Sequence, residues 1–160
     1  MSIVNEPRLA VECDLEDLCG LIGRYWAFEG IPGFEPTVTC ELIRRLLLEP
    51  TLGCFWILRD QNQTLGYLLM VYSFSLEFGG AIAEIDELFV VPEQRGRGCG
   101  AALLNAASAA ASARGCRRLS LQVGADNDAA SAFYARQGFA PRTSYGLLEK
   151  PLIARSAAAG

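Results

Sequence analysis

The sequence contains no histidine at all. That absence removes imidazole general bases, Ser-His-Asp triads and most zinc sites in one step. Lysine is nearly missing as well: of 14 basic residues, only Lys150 is not an arginine. A GC-rich coding sequence explains such a bias, although arginine's planar fork of donors also suits phosphate. The six cysteines (Cys13, Cys19, Cys40, Cys54, Cys99, Cys116) form no C-x-x-C pair. They read as buried thiols in a reducing compartment, not as metal ligands. Positive charge is short too, with a net charge of −4 and a pI near 4.9, which argues against a nucleic-acid partner. Gly, Asp, Glu or Arg interrupts every long apolar run, and no charged segment followed by an apolar stretch opens the chain. Neither a membrane span nor a signal peptide is expected, and the cytoplasm is the expected compartment.

What is present is core-forming material: 51% hydrophobic and 20% charged residues in a chain of 160. That suffices for one compact domain and not for two. The expectation is a single domain over 1–153 with a frayed tail at 154–160.

Pro7 to Cys13 reads as a first strand, and Asp14 as the cap of a helix that Gly30-Ile31-Pro32-Gly33 breaks. A second helix is expected from about Val38 to Glu49, ended by Pro50. Gly53–Arg59 and Leu65–Tyr72 are strand-like around the turn at Asp60-Gln61-Asn62-Gln63, and Ala81–Val91 is a long third strand. An alanine-rich helix runs to about Arg114 and stops at Gly115. Leu119–Val123 is a strand, Asp126-Asn127-Asp128 caps a helix through Gln137, and a last strand or pair of strands reaches Leu152. The order implies an α/β chain of the α+β type. Its mixed sheet has an antiparallel front half and a parallel pair joined by a crossover helix.

The densest signal is Arg95-Gly96-Arg97-Gly98-Cys99-Gly100-Ala101, at a strand-to-helix junction. Glycines let a ligand approach the backbone, and unpaired helix N–H groups with the positive end of the helix dipole favour an anion there. Three glycines and two arginines are more than a plain surface turn needs. A dinucleotide fingerprint read as Gly96-x-Gly98-x-x-Ala101 starts too far from the strand and follows an antiparallel sheet. A Walker loop is excluded because no G-K-S/T occurs.

Arg95-x-x-Gly98-x-Gly100 resembles the Gln/Arg-x-x-Gly-x-Gly/Ala signature of the GNAT superfamily of N-acetyltransferases. Glu84–Pro92 resembles the strand before that signature, and Asn127–Phe139 is similar to the family's N-x-x-A-x-x-F-Y-x-x-x-G-F segment. The resemblance covers roughly residues 81–140. It implies a GNAT fold with splayed parallel strands, helices on both sheet faces, and acetyl-CoA as co-substrate without a metal. The pantetheine arm would lie between Leu88–Val90, including Phe89, and Leu119–Val123, paired to main-chain groups of Leu88 and Val90. The backbone N–H groups of Arg95 to Ala101 would hold the diphosphate. Asn127, Ala130 and Phe133 would also line the cofactor site, with Asn127 serving equally as a helix cap.

The implied chemistry is direct attack of an amine on the acetyl thioester in a ternary complex. An alkylamine of pKa near ~10.4 must first lose a proton, and without histidine a carboxylate is the natural acceptor. Glu84 matches the family's histone-acetylase base and Asp86 its diamine-acetylase base. Alternation puts both on one face with Leu88 and Val90, and Glu87 on the other unless a bulge intervenes. The same acids could simply solvate a strand end. Tyr134 matches the residue that protonates the departing thiolate, and could equally be a packed aromatic. Cys99 reads as packing beneath the loop. Gln122 stands where relatives that acetylate protein N-termini often carry glutamate.

The acceptor side would be built from Tyr25, Trp26, Phe28, Glu29, Phe34, Glu35, Glu77 and Phe78. Aromatics among carboxylates suit a small cationic amine, such as a polyamine, an amino sugar or an amino-acid-like amine, by cation–π and ionic contacts. They could also just finish the core and solvate loops. A protein or peptide N-acetyltransferase and a non-catalytic acetyl-CoA-binding module are the alternatives. Dimers are common in the family, which leaves a homodimer open.

Overall fold

The computed structural model describes residues 6–61 and 63–153, in two compact units that part between Gln122 and Val123. The expected tail at 154–160 lies outside the described residues.

The first unit opens with β1 (Arg8–Leu9), far shorter than the strand expected over Pro7–Cys13. A 3-10 turn at Glu12–Asp14 cuts the strand off, and Asp14 is the reason. It is 2% exposed, and its carboxylate accepts from both terminal guanidinium nitrogens of Arg8 at 2.8 Å and from the Val11 N–H at 2.8 Å. The Arg8 hydrogen bonds hold the Asp14 carboxyl below its ordinary range. Asp14 does occupy the N-cap position of α1 (Leu15–Glu29), but its side chain makes no cap bond to that helix. Gly30, at φ 67°, ends α1. Helix α2 (Pro36–Leu48) starts earlier than expected, because Pro36 with its fixed φ suits the first turn.

Strands β2 (Gly53–Arg59), β3 (Thr64–Ser75), β4 (Gly80–Val90) and β5 (Leu119–Leu121) come next, with α3 (Cys99–Ala113) joining the last two. The sheet order is β1-β2-β3-β4-β5, antiparallel up to β4 and parallel from β4 to β5. Phe55, Ile57, Tyr67, Leu69 and Phe89 pack with Leu18, Leu21, Ile22 and Ile43, which places α1 and α2 on one face. Helix α3 packs against β2, β3 and β4 and buries Leu103, Leu104, Ala107 and Ala111 on the other face. The α3 helix stops before Gly115, whose φ is 84°.

The second unit contains α4 (Asp128–Arg136), capped by Asn127, whose Oδ1 accepts the Ala130 N–H at 3.0 Å. Among the described residues after α4 there is no strand, contrary to the expected last strand reaching Leu152. Pro141 and Pro151 lack donor N–H groups and Gly146 interrupts the stretch between them, so the segment is poorly suited to a continuous ladder.

Candidate active site

The ladder between β4 and β5 joins only Ala83–Ile85 with Leu119–Leu121. Beyond Ile85, β4 runs on to Val90 while staying paired with β3, leaving its other edge open, with no strand paired to it among the described residues. A bulge sets what faces that edge. Leu69 pairs with Glu87 and Met70 with Ile85, so Asp86 is the extra residue. Before the bulge, the Ala83 N–H bonds Arg118 on the β5 side; after it, the Val91 N–H bonds Leu65 on the β3 side. Counting back from Val91, the peptide groups of Leu88 and Val90 point to the open edge.

The bulge also corrects the alternation expected of the acids. Glu84 pairs with Val71 and Glu87 with Leu69, and both partners belong to the face of α1 and α2. Glu84 and Glu87 therefore share a face, while Leu88 and Val90 lie on the opposite one with Ile85. Asp86 sits in the kink between the two acids.

Each acid has distinct surroundings. Glu87 is bound at both oxygens, by Trp26 Nε1 at 3.1 Å and by the Tyr67 hydroxyl at 2.7 Å. Burial still raises its pKa, opposed by these two donors and aided by the Asp86 charge. Asp86 stays exposed as a residue, yet partial desolvation and then the Glu84 charge raise its carboxyl as well. Glu84 Oε1 accepts from Gln122 Nε2 at 3.2 Å. Gln122, just past β5, therefore orients a carboxylate instead of supplying one.

After β4 the chain makes a 3-10 turn at Pro92–Gln94, and the Arg95 N–H is engaged with Pro92 O at 3.2 Å. Of the N–H groups expected at an anion, that one is already taken, and the series starts at Gly96. Gly96 and Gly98 have φ of 72° and 82°, and Gly98 is the N-cap of α3. The first bond of α3 runs from the Ala102 N–H to Gly98 O at 2.9 Å. The N–H groups of Gly98, Cys99, Gly100 and Ala101 precede it, at the positive end of the helix. Arg97 extends over the exposed loop to Gln94 at 3.4 Å. Cys99 is 4% exposed beneath the loop, as its packing role requires.

In the second unit, Ala130, Phe133 and Tyr134 lie on α4. Tyr134 packs between the rings of Phe133 and Phe139, at 5.1 and 5.7 Å, and burial raises its pKa.

Not all of the acceptor-side residues come together. Trp26 reaches Glu87 and packs edge-on against Phe34 at 5.9 Å, and Tyr25 packs on Phe89 at 5.8 Å. Glu29 and Glu35 are exposed at the two ends of the α1–α2 connection. Phe78 stacks with Arg118, and Glu77 precedes it in the β3–β4 turn, at the Gly80 end of β4 and apart from the acids. Sequence reasoning left out two residues that contact these elements: Tyr67, buried on β3 and bonded to Glu87, and Arg24, whose guanidinium meets Glu93 of the turn after β4 at 3.5 Å. Tyr67 could have been found from its polar tip in the otherwise apolar run Leu65–Val71, since a buried hydroxyl needs a partner.

The chain matches the model of the acetyltransferase (GNAT) family over residues 17–139. It is 52% identical over 58 residues to an uncharacterised N-acetyltransferase of Methanocaldococcus jannaschii, a stretch covering 36% of this chain and 26% of that protein. The match thus spans about a quarter of that relative's length. An uncharacterised N-acetyltransferase of Bacillus subtilis is 30% identical over 105 residues, 66% of this chain and 70% of that one. The fold also superposes on an aminoglycoside N-acetyltransferase solved in complex with CoA, with a TM-score of 0.76 and 18% identity, covering 98% of this chain and 96% of that one. Among the described residues, no cluster of three or more His, Cys, Asp or Glu could hold a metal ion, and no helix is long and apolar enough to cross a membrane.

Proposed function

The chain belongs to the acetyltransferase (GNAT) family, and on that footing we propose that it moves an acetyl group from acetyl-CoA to a primary amine of a small cationic acceptor. The observation that carries this reading is the open edge of β4 leading into a glycine loop whose last N–H groups precede the first bond of α3. Leu88 and Val90 offer peptide groups where an extended amide-bearing arm would add like a strand. Gly96 to Ala101 offer N–H donors and a helix dipole where a diphosphate would end. The continuous family match supports a single N-acetyltransferase domain.

In the proposed reaction the acceptor nitrogen attacks the thioester carbonyl carbon, and the tetrahedral intermediate collapses with cleavage of the C–S bond. Asp86 or Glu84, through one water, takes the proton that the ammonium must lose before attack. Glu87, tied at both oxygens, holds its charge beside them and attracts the cation. Tyr134 returns a proton to the departing thiolate; this role rests on its place in the N-x-x-A-x-x-F-Y motif. Asn127 caps α4 and is proposed to touch the pantetheine arm with Ala130 and Phe133. Trp26, Phe34 and the acids form the acceptor side, which fits a polyamine, an amino sugar or an amino-acid-like amine. Gln122 cannot act as a base, which supports a small amine over a protein N-terminus.

The test is a thiol-release assay with acetyl-CoA against polyamines, aminoglycosides, amino acids and peptides, beside calorimetry with acetyl-CoA. Amine-dependent CoA release, greatest for small polycations, is the expected result. Binding without turnover for any acceptor would reduce the chain to an acetyl-CoA-binding module, and no binding would end the transferase reading.

A further inference from the structure

The arginine of the signature does not extend into its own loop. The Arg95 guanidinium lies over the Phe28 ring, 4.4 Å from the centroid, with the Phe89 ring at 5.7 Å, and its Nε donates to Val90 O at 3.0 Å. Phe28 lies in the last turn of α1 and is 59% exposed, so this cation covers a ring the core leaves uncovered. One turn earlier on the same helix, Arg24 meets Glu93 of the loop. Residues four apart on α1 thus meet residues two apart on the chain after β4, and both contacts join the acceptor-side helix to the cofactor loop.

We infer that Arg95 is a positioning residue: stacked on Phe28 and bonded to the Val90 carbonyl, it ties α1 to the cofactor loop and fixes that loop for the diphosphate. The inference rests on the acetyl-CoA reading above. Val90 O is one of the open-edge acceptors, and a carbonyl oxygen has two lone pairs. Arg95 therefore aims this carbonyl and leaves one lone pair for an incoming amide. Planarity explains why arginine suits the position, since a guanidinium can stack on a ring while its edge donates in plane. A direct diphosphate ligand would instead point its cation towards the Gly96–Ala101 amides.

The experiment is calorimetric titration of acetyl-CoA into the wild-type chain and the variants Phe28→Ala, Phe28→Tyr, Arg95→Gln and Phe28→Ala/Arg95→Gln, at low and high salt. Phe28→Ala is expected to weaken binding roughly three- to tenfold, and Phe28→Tyr to restore it. The double variant should be no weaker than Arg95→Gln alone, and Arg95→Gln should keep the wild-type salt dependence. Equal factors for Phe28→Ala in both backgrounds, or a flattened salt dependence in Arg95→Gln, would overturn the inference in favour of a direct ionic contact. Should Arg95→Gln fail to fold, wild-type affinity in Phe28→Ala overturns it and a loss restored in Phe28→Tyr upholds it. A wild-type chain that binds no acetyl-CoA would instead sink the transferase reading itself.

Discussion

Tyr67 donates its hydroxyl to Glu87 at 2.7 Å from a position with no solvent exposure. The bond reaches from β3 to the residue just past the bulge in β4, and Trp26 of α1 completes it on the other oxygen. Burial makes the folded chain hold the Glu87 proton more tightly than the unfolded chain does, so the charged group costs stability above its unfolded pKa. The two donors limit that cost. Tyr67→Phe removes one of them and should raise the Glu87 pKa further. The expected destabilisation is about 1–3 kcal/mol at neutral pH, shrinking in acid as Glu87 takes up its proton. Urea melts at pH 7.5 and near pH 4.5 check it, and an equal loss at both pH values would contradict a charged Glu87.

The Asp86 carboxyl is raised first by desolvation and then by the charge of Glu84. A base must be ionised to work, so the acid limb of kcat/KM should lie above the ordinary carboxylate range. Glu84→Gln keeps the shape and removes that charge, which should move the limb to lower pH. Asp86→Asn should lower kcat/KM by about 10²- to 10⁴-fold. If Glu84→Gln abolishes turnover while Asp86→Asn leaves it intact, the base is Glu84.

Helical spacing reveals α1 and α2, the hairpin shows in its alternation and turn, and the glycine run marks the loop, because each signal is local. The sequence leaves a bulge in β4 open, but no local signal places it at Asp86. It depends on the register between β3 and β4, and one extra residue moves Glu87 onto the face of Glu84. The partners of Glu87 lie 61 and 20 residues away, beyond any spacing rule. Asp14 reads as a cap because a helical apolar repeat begins right after it, whereas Arg8 and Val11 before it claim its oxygens. The expectation of a last strand follows from Gly138-Phe139 as a turn after α4, but a turn alone supplies no ladder, and Pro141 and Pro151 lack donor N–H groups.

Gly98 carries φ 82° and ψ 0° at the N-cap of α3, with nothing within 4 Å of where a Cβ would stand. Substitution there meets no clash, so its effect is purely conformational. Gly98→Ala should cost about 1–2 kcal/mol in backbone strain, and relief of that strain would turn the Cys99 and Gly100 N–H groups away. Acetyl-CoA should bind about tenfold more weakly, with kcat at saturation little changed. Calorimetry and steady-state kinetics separate the two, and undiminished affinity would remove the N-cap from the diphosphate site.

Two further glycines test whether the open end of β4 depends on close packing with β3. Gly66 pairs with Val90, and a Cβ there would lie 2.6 Å from the Phe89 carbonyl oxygen and 3.2 Å from Val90 Cα. Both neighbours are backbone and have no rotamer to change, so the strands must part. Gly66→Ala should cost about 1–3 kcal/mol and weaken acetyl-CoA binding through displacement of the Val90 peptide. Gly20, within α1, has nothing within 4 Å of its Cβ position and no positive φ. Gly20→Ala should therefore stabilise the chain by about 0.5–1 kcal/mol and leave acetyl-CoA affinity as it was. Thermal melts with and without acetyl-CoA distinguish the pair. If Gly66→Ala lowers the melting point yet keeps full affinity, the Val90 edge does not hold the cofactor.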